Sequence, residues 1–466
     1  LPEVVVGEQK FVGLHAVYDH DSNFVALIAN GAYTVDWGDG VVENFAAGVQ
    51  ANHAYDFTTL PAGSLTSEGH RQAIVTVTPQ AGQNLTTLNF YVKHSQAGLP
   101  TGYGTGWLDM KIVGAQLANL SIGPSTTVFH ASLQRFEYVG PSAITLFNSL
   151  FQGCSRLQEV AGAEWTAAGT SFTNMFDSCR ALFTIPRLDT RAATNMSNMF
   201  INCFALTTVP LLNMSQVLNA TNMFGSCYSL LSIPAFDTSK VTNFSFMFDN
   251  CRSLASIPLL NTAAGLNMTQ MFGSCYSLTT IPLLNTSQVT NMNSMFNACS
   301  ALRSIPLLDM AKVTTVNGMF TACNALKTIP LLNTSAITNF GSMFNACVGL
   351  VSIPLLDTSK ATSMVGMFQG CTALQSVPLL NVAAVTSGNF ATIFQGCISL
   401  SRAALAGTKF SISYASCKLS ATELNRIYTN LASGVSGQTI TVTSNYGTGG
   451  DDPTIATAKG WTVTGS

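Results

Sequence analysis

Twelve cysteines are the first candidates for chemistry in this chain, since a thiolate is a nucleophile, a metal ligand and half of a disulfide. They are Cys154, Cys179, Cys203, Cys227, Cys251, Cys275, Cys299, Cys323, Cys347, Cys371, Cys397 and Cys417. Each of the regular ones sits between MFxx and xxL, a place for a small apolar residue. The expectation is a core column of reduced, buried thiols. Stacked copies would stand close enough to bridge, but identical side chains in register point in parallel rather than at one another. Only the irregular end, Cys397 and Cys417, leaves a disulfide open. There is no CxxC and no histidine beyond His130, so neither zinc nor any cofactor is expected.

The histidines are His15, His20, His53, His70, His94 and His130, and none belongs to an HExxH or a legible Ser–His–Asp order. His53 is expected to pack inside a β-sandwich. Asp19-His20-Asp21-Ser22-Asn23 imitates the start of a calcium loop but has Phe24 where glycine is needed and Asn30 where glutamate is needed. Gly38-Asp39-Gly40 is a turn signal, and no phosphate-binding loop is present. With no convergent acid–base or nucleophile set, an enzyme is not expected.

What positions the cysteines is a repeat. From Cys179 to Cys371 every interval is 24 residues, with 25 before and 26 after, and MFGSCYSL occurs identically at 223–230 and 271–278. A fixed period of this size marks a solenoid whose rungs enclose a core only by stacking. In the rung that opens at Met271, the apolar positions Met271, Phe272, Cys275, Leu278, Ile281, Leu283, Leu284, Val289 and Met292 recur in register. The MFxxCxxL spacing predicts a short helix or 3₁₀ stretch. Pro186, Pro210, Pro234, Pro258, Pro282, Pro306, Pro330, Pro354 and Pro378 share one column, which cannot lie mid-strand. It is expected at a corner, or at the start of a strand through Leu-Leu-Asn/Asp.

Two surface patterns follow the same period. After Leu-Leu comes Asp at 189, 237, 309 and 357, accompanied by Arg191, Lys240, Lys312 and Lys360; the Asn rungs (213, 261, 285, 333, 381) carry neutral residues there. This predicts local ion pairs, each worth about 0–1 kcal/mol. Threonines form two columns, one including Thr238, Thr262, Thr286, Thr334 and Thr358, the other Thr242, Thr290 and Thr338. Read as exposed, these eight are the candidate binding residues on a flat, neutral face. Met214, Met310, Val382, Leu218 and Leu266 interrupt the columns, which argues against an ice-binding plane.

Charged residues are 9% of the chain and the net charge is −2, with no basic run, so no nucleic-acid partner is expected. No apolar stretch reaches the length of a membrane span, and LPEVVVGEQK is not a signal peptide, so no membrane insertion is expected. The domains read as 1–98, a β-sandwich; 99–150, irregular repeats that cap the solenoid; 151–400, the solenoid; and 401–466, a terminal cap. In the cap, Ser420 and Glu423 predict a capping box opening a helix.

The repeat MFxxCxxLxxIPLL[ND]TSxVTNM resembles the bacterial surface-protein type of leucine-rich repeat over about 250 residues. Trp37-Gly38-Asp39-Gly40, His53-Ala54-Tyr55 and the IVTVT run at 74–78 resemble a polycystic-kidney-disease (PKD-type, immunoglobulin-like) domain. The fold expected is mainly β: a leucine-rich-repeat-like solenoid of parallel strands with short helical turns, preceded by an immunoglobulin-like β-sandwich. The resemblance implies adhesins, or tail and fibre proteins of bacteriophages, whose ending the 419–463 segment is similar to. The absence of export and anchoring signals expected of cell-surface members favours a virion component released by lysis. The implied partners are other virion proteins through the N-terminal domain and a host-surface glycan or protein through the solenoid. A secreted bacterial adhesin or matrix protein is the alternative. A homo-oligomer is left open, since no coiled-coil heptads demand one.

Overall fold

The computed structural model describes residues 1–20, 23–100, 102–123, 128–162, 164–386 and 389–466. They form two compact units, Leu1–Lys240 and Val241–Ser466.

The first unit begins with alternating apolar runs that pair into two sheets. A seven-stranded sheet has the order Glu159–Ala161, Arg135–Val139, Trp107–Val113, Lys10–Val17, Arg71–Pro79, Tyr33–Asp36 and Val42–Phe45. A four-stranded sheet has the order Asn119–Ser121, Thr87–Asn89, Phe24–Asn30 and Gln50–Ala54. Lys10–Val17 pairs antiparallel with Trp107–Val113, which pairs parallel with Arg135–Val139. The first rungs of the repeat therefore continue the N-terminal sheet, and hydrogen bonding crosses the junction near residue 99. Phe11, Phe90 and Trp107 fill the core beneath, with ring centroids 4.6–5.7 Å apart.

Beyond this the chain is a mainly β, leucine-rich-repeat-like solenoid. Parallel single-residue bridges link Leu146, Ser171, Asn195 and Asn219 in the first unit, and Asn243, Asn267, Asn291, Thr315, Asn339 and Ser363 in the second. Stacking places each phenylalanine on its copy: Phe248, Phe272, Phe296, Phe320, Phe344, Phe368 and Phe394 have centroids 5.6–5.8 Å apart and nearly parallel planes.

The MFxxCxxL segment differs from expectation. It forms consecutive turns rather than a helix. Gln270 and Ser274 adopt left-handed φ values of 52° and 54°, and the pattern recurs at Ser294 and Ala298 and at Ser342 and Ala346. The result is alternation of the peptide direction. The N–H groups of Met268, Gln270, Phe272 and Ser274 donate to Asn291, Asn293, Met295 and Asn297 on the next rung at 2.6–3.1 Å. Those of Met271, Gly273 and Cys275 close turns three residues back at 3.1–3.2 Å. A helix would spend every N–H internally and leave the rungs unjoined. Among the described residues of the solenoid, 3₁₀ stretches appear in the two irregular rungs, Glu164–Thr166 in the 25-residue one and Asn389–Thr392 in the 26-residue one.

Two further expectations are corrected. Among the described residues, only Leu380–Asn381 forms a strand at the Leu-Leu-Asn/Asp position, paired with Leu405–Ala406. A proline precedes this position in every regular rung, Pro378 included, and limits any strand here to the residues beyond it. Leu283 does not join the core: Leu284 is 2% exposed and Leu283 is 61% exposed, because neighbouring residues of an extended wall face opposite ways.

The second unit closes with the helix Ala421–Asn430 and the parallel strands Ile412–Ser413, Gln438–Thr441 and Trp461–Thr464. The Ser420 hydroxyl caps the helix by accepting from the Glu423 N–H at 3.3 Å. The reciprocal half of the box does not form, since the Glu423 carboxylate accepts from Ala403 N–H and Arg426 instead.

Candidate functional site

The cysteine column lies where the apolar period puts it, in the core. All twelve are free thiols and buried. Burial pushes the thiols up, to about 12 at Cys154, Cys347, Cys397 and Cys417. A thiol so far from ionising is a poor nucleophile and a poor ligand. Most are nevertheless placed to donate a weak hydrogen bond. The Sγ of Cys275, Cys299, Cys323, Cys347 and Cys371 lies 2.8–3.1 Å from the carbonyl of Phe248, Phe272, Phe296, Phe320 and Phe344 on the preceding rung. Cys179, Cys203 and Cys227 do the same in the first unit at 3.1 Å. Cys251 is equally buried. Sequence spacing identified the column as structural but not this donor role; the signal was its unbroken use of Cys where Ala would also fit.

The two threonine columns separate. Thr238, Thr262, Thr286, Thr334 and Thr358 are at most 1% exposed, so as binding residues on an open face they are corrected. Their place is inside the corner that follows the proline column. The Oγ1 of Thr262, Thr286, Thr334 and Thr358 donates to the carbonyl of Asn285, Asp309, Asp357 and Asn381 on the next rung at 2.7–2.8 Å. A side-chain hydroxyl thus joins neighbouring rungs at this corner.

The second column is on the surface. Thr290 and Thr338 are exposed and Thr242 is half-buried. Thr290, Thr314, Thr338, Thr362 and Thr386 each send both N–H and Oγ1 to one carbonyl of the preceding rung, at 2.8–3.1 Å and 3.1–3.4 Å. The hydroxyl hydrogen is used, and the lone pairs of successive Oγ1 atoms remain as a rung-spaced row of acceptors.

The expected Asp–Lys pairs are mostly replaced by turns. The carboxylates of Asp237, Asp309 and Asp357 accept from the N–H two residues on, Ser239, Ala311 and Ser359, at 3.0–3.1 Å. Asn285 and Asn333 make the same turn with their amide oxygens, which is why either residue serves. Hydrogen bonds from Ser239 hold Asp237 below the usual carboxylate range, with Lys240 a smaller influence. Lys240 and Lys312 reach across to Gln216 and Gln288 at 2.6 Å. Arg191 does pair with Asp189.

In the N-terminal sheets, the residues singled out by motif converge. Trp37 is fully buried, His53 stacks on it at 4.7 Å, and the Tyr55 hydroxyl donates to the Trp37 carbonyl at 2.8 Å. His53 Nε2 lies 2.7 Å from Asp39. His15, which stacks on Tyr55 at 5.4 Å, and His130 are buried in the same unit, and burial lowers them to about 3 and about 4. Gly106 N–H donates to His15 Nε2, and His130 lies between the Thr105 hydroxyl and the Phe90 carbonyl. Asp21 and Ser22 of the calcium-like segment lie outside the described residues; Asn23 uses its amide to close the turn onto Tyr18 and His20. Among the described residues no cluster of three metal-ligating side chains occurs, and no helix is long and apolar enough to cross a membrane.

No curated protein matches the chain. Solved structures similar to it include a leucine-rich repeat protein from Bacteroides ovatus, 16% identical, with a TM-score of 0.37 over 79% of this chain and 86% of that one. Another is a leucine-rich repeat protein from Eubacterium ventriosum, 15% identical, with a TM-score of 0.37 over 64% of this chain and 86% of that one. Residues 126–232, 228–330 and 301–407 each match one family, together more than half of the chain. The chain belongs to the family described as Mycoplasma protein of unknown function, DUF285.

Proposed function

We propose that the chain is a non-enzymatic virion structural protein, a tail, fibre or decoration component. Its solenoid serves as a binding platform for a host-surface glycan or protein. The observation that carries this reading is the exposed row of Thr290, Thr314, Thr338, Thr362 and Thr386 acceptors, held at rung spacing by bonds to the backbone. A preordered neutral surface of this kind loses little entropy on binding. The cluster of buried Trp37 and Tyr55 with half-buried His53 supports a PKD-type role for the N-terminal sheets, as a module that docks to other virion proteins. A second reading, a secreted bacterial cell-surface adhesin or matrix protein, is favoured by the family description, which names Mycoplasma.

Fractionation of a producing culture separates the two. The virion reading expects the chain in particles banded on a density gradient; recovery only in the cell-surface or secreted fraction sinks it. Binding is tested by adsorption of the whole chain to bacterial cells and to glycan arrays. A Thr290→Lys, Thr338→Lys variant should lose adsorption; undiminished adsorption moves the site off this column.

A further inference from the structure

Leu259, Leu283, Leu307, Leu331, Leu355 and Leu379 occupy six successive rungs of the second unit and are 44–64% exposed. Each follows a half-buried proline, and no charged residue interrupts the Ile/Val-Pro-Leu-Leu segments that carry them. At about 100 Å² each, the leucines alone present on the order of 600 Å² of continuous apolar surface, the upper end for a monomer. With the half-buried prolines beside them, the stripe approaches the roughly 800 Å² per partner of a stable interface.

We propose that this stripe is the interface of a two-fold homodimer, in which the leucine rows of two copies pack along one another. The partner must present apolar side chains at the rung repeat over six rungs, and a second copy does so by construction. Charge allows the same occupant. Arg303 and Lys327 lie on the side of the stripe that precedes the prolines, while on the side that follows the leucines Asp309 and Asp357 are accompanied by Lys312 and Lys360, which leaves that flank close to neutral. A two-fold axis parallel to the stack sets the cationic flank of one copy against the neutral flank of the other and keeps the two cationic flanks apart, an isologous contact. The stripe is separate from the threonine row, so dimerisation leaves that row open.

The test is sedimentation velocity and light scattering of the full chain from about 0.1 to 100 µM. The expected mass is twice 49.3 kDa. A Leu307→Arg, Leu331→Arg variant should associate at least about 100-fold more weakly. Leu307→Met, Leu331→Met, which keeps the surface apolar, should still dimerise. These leucines are exposed in the single chain, so thermal unfolding of the monomer checks that the variants fold; Leu283→Gln, Leu355→Gln is the second pair should arginine prevent folding. A wild-type chain that stays monomeric throughout overturns the proposal, even if it captures an apolar peptide. So does an arginine variant that dimerises as tightly as wild type.

Discussion

Replacing Thr286 by valine removes one hydroxyl and keeps the shape of the side chain. The Oγ1 is in a 1% exposed residue and donates to the Asp309 carbonyl at 2.7 Å. Losing a net hydrogen bond costs about 1 kcal/mol, and leaving the buried carbonyl short of a partner adds about as much. The new buried methyl returns up to about 0.8 kcal/mol. The expected cost is therefore about 1–2 kcal/mol. Met214, Met310 and Val382 stand in the same column, almost fully buried, so the fold tolerates isolated losses and the value should fall in the lower half of that range. Thr290→Val is the internal control. Thr290 is exposed, its N–H still binds Leu266, and leucine already occupies that column at 218 and 266, so the change should stay within about 0.5 kcal/mol. Urea unfolding of the whole chain reads the difference, with hydrogen exchange at residues 285–310 locating it, since long repeat arrays need not unfold in one step. Equal costs at the two sites, or a larger one at Thr290, would refute the assignment of the buried column as an inter-rung clip.

Other consequences are as direct. Ala322 has a φ of 57°, while Gly370 and Gly396 fill the equivalent place in other rungs; Ala322→Gly should raise stability by up to about 1 kcal/mol by relieving the left-handed strain. Cys299→Ala should cost about 1–3 kcal/mol, from the lost sulfur volume and the Phe272 carbonyl it leaves; Cys299→Ser should cost less, and unfolding curves rank them. All twelve thiols should resist a thiol reagent in the native protein and react together on denaturation, so early labelling of any of them contradicts their burial. His15 and His130 are neutral when folded and take protons more readily when unfolded, so stability is full above about pH 6.5 and lost as pH falls towards about 4 and then about 3. The two together should cost the first unit about 6 kcal/mol by pH 4. Ring resonances of both histidines that shifted between pH 7 and 5 would contradict this.

The repeat and its core were legible because a 24-residue period can be filled only by stacking, and Phe272 or Cys275 recurs without exception. Which side of a wall a periodic residue faces was not legible. Leu283 and Leu284 recur equally, yet one is solvent-facing and the other is core, and Thr286 and Thr290 divide in the same way. The left-handed positions left a faint trace, since Gly318, Gly366 and Gly370 stand where Ser, Asn and Ala stand elsewhere. The Asp–Lys correlation was real in sequence, but a carboxylate two residues from a backbone N–H finds that donor before it finds a mobile lysine.

The alternating peptides of the turn segment also set the electrical character of the stack. Phe272, Ser274, Met292 and Ser294 send their N–H groups towards the next rung, whereas Ser277, Thr279 and Thr290 send theirs towards the previous one. The Thr286 hydroxyl follows the first direction and the Cys275 thiol the second. Bond dipoles on the two flanks of a rung therefore oppose and largely cancel, unlike those of a helix, which add along its axis. Lengthening such a stack accumulates little field. A chain can add rung after rung with few ionised side chains at either end, and a surface with 9% charged residues is then sufficient.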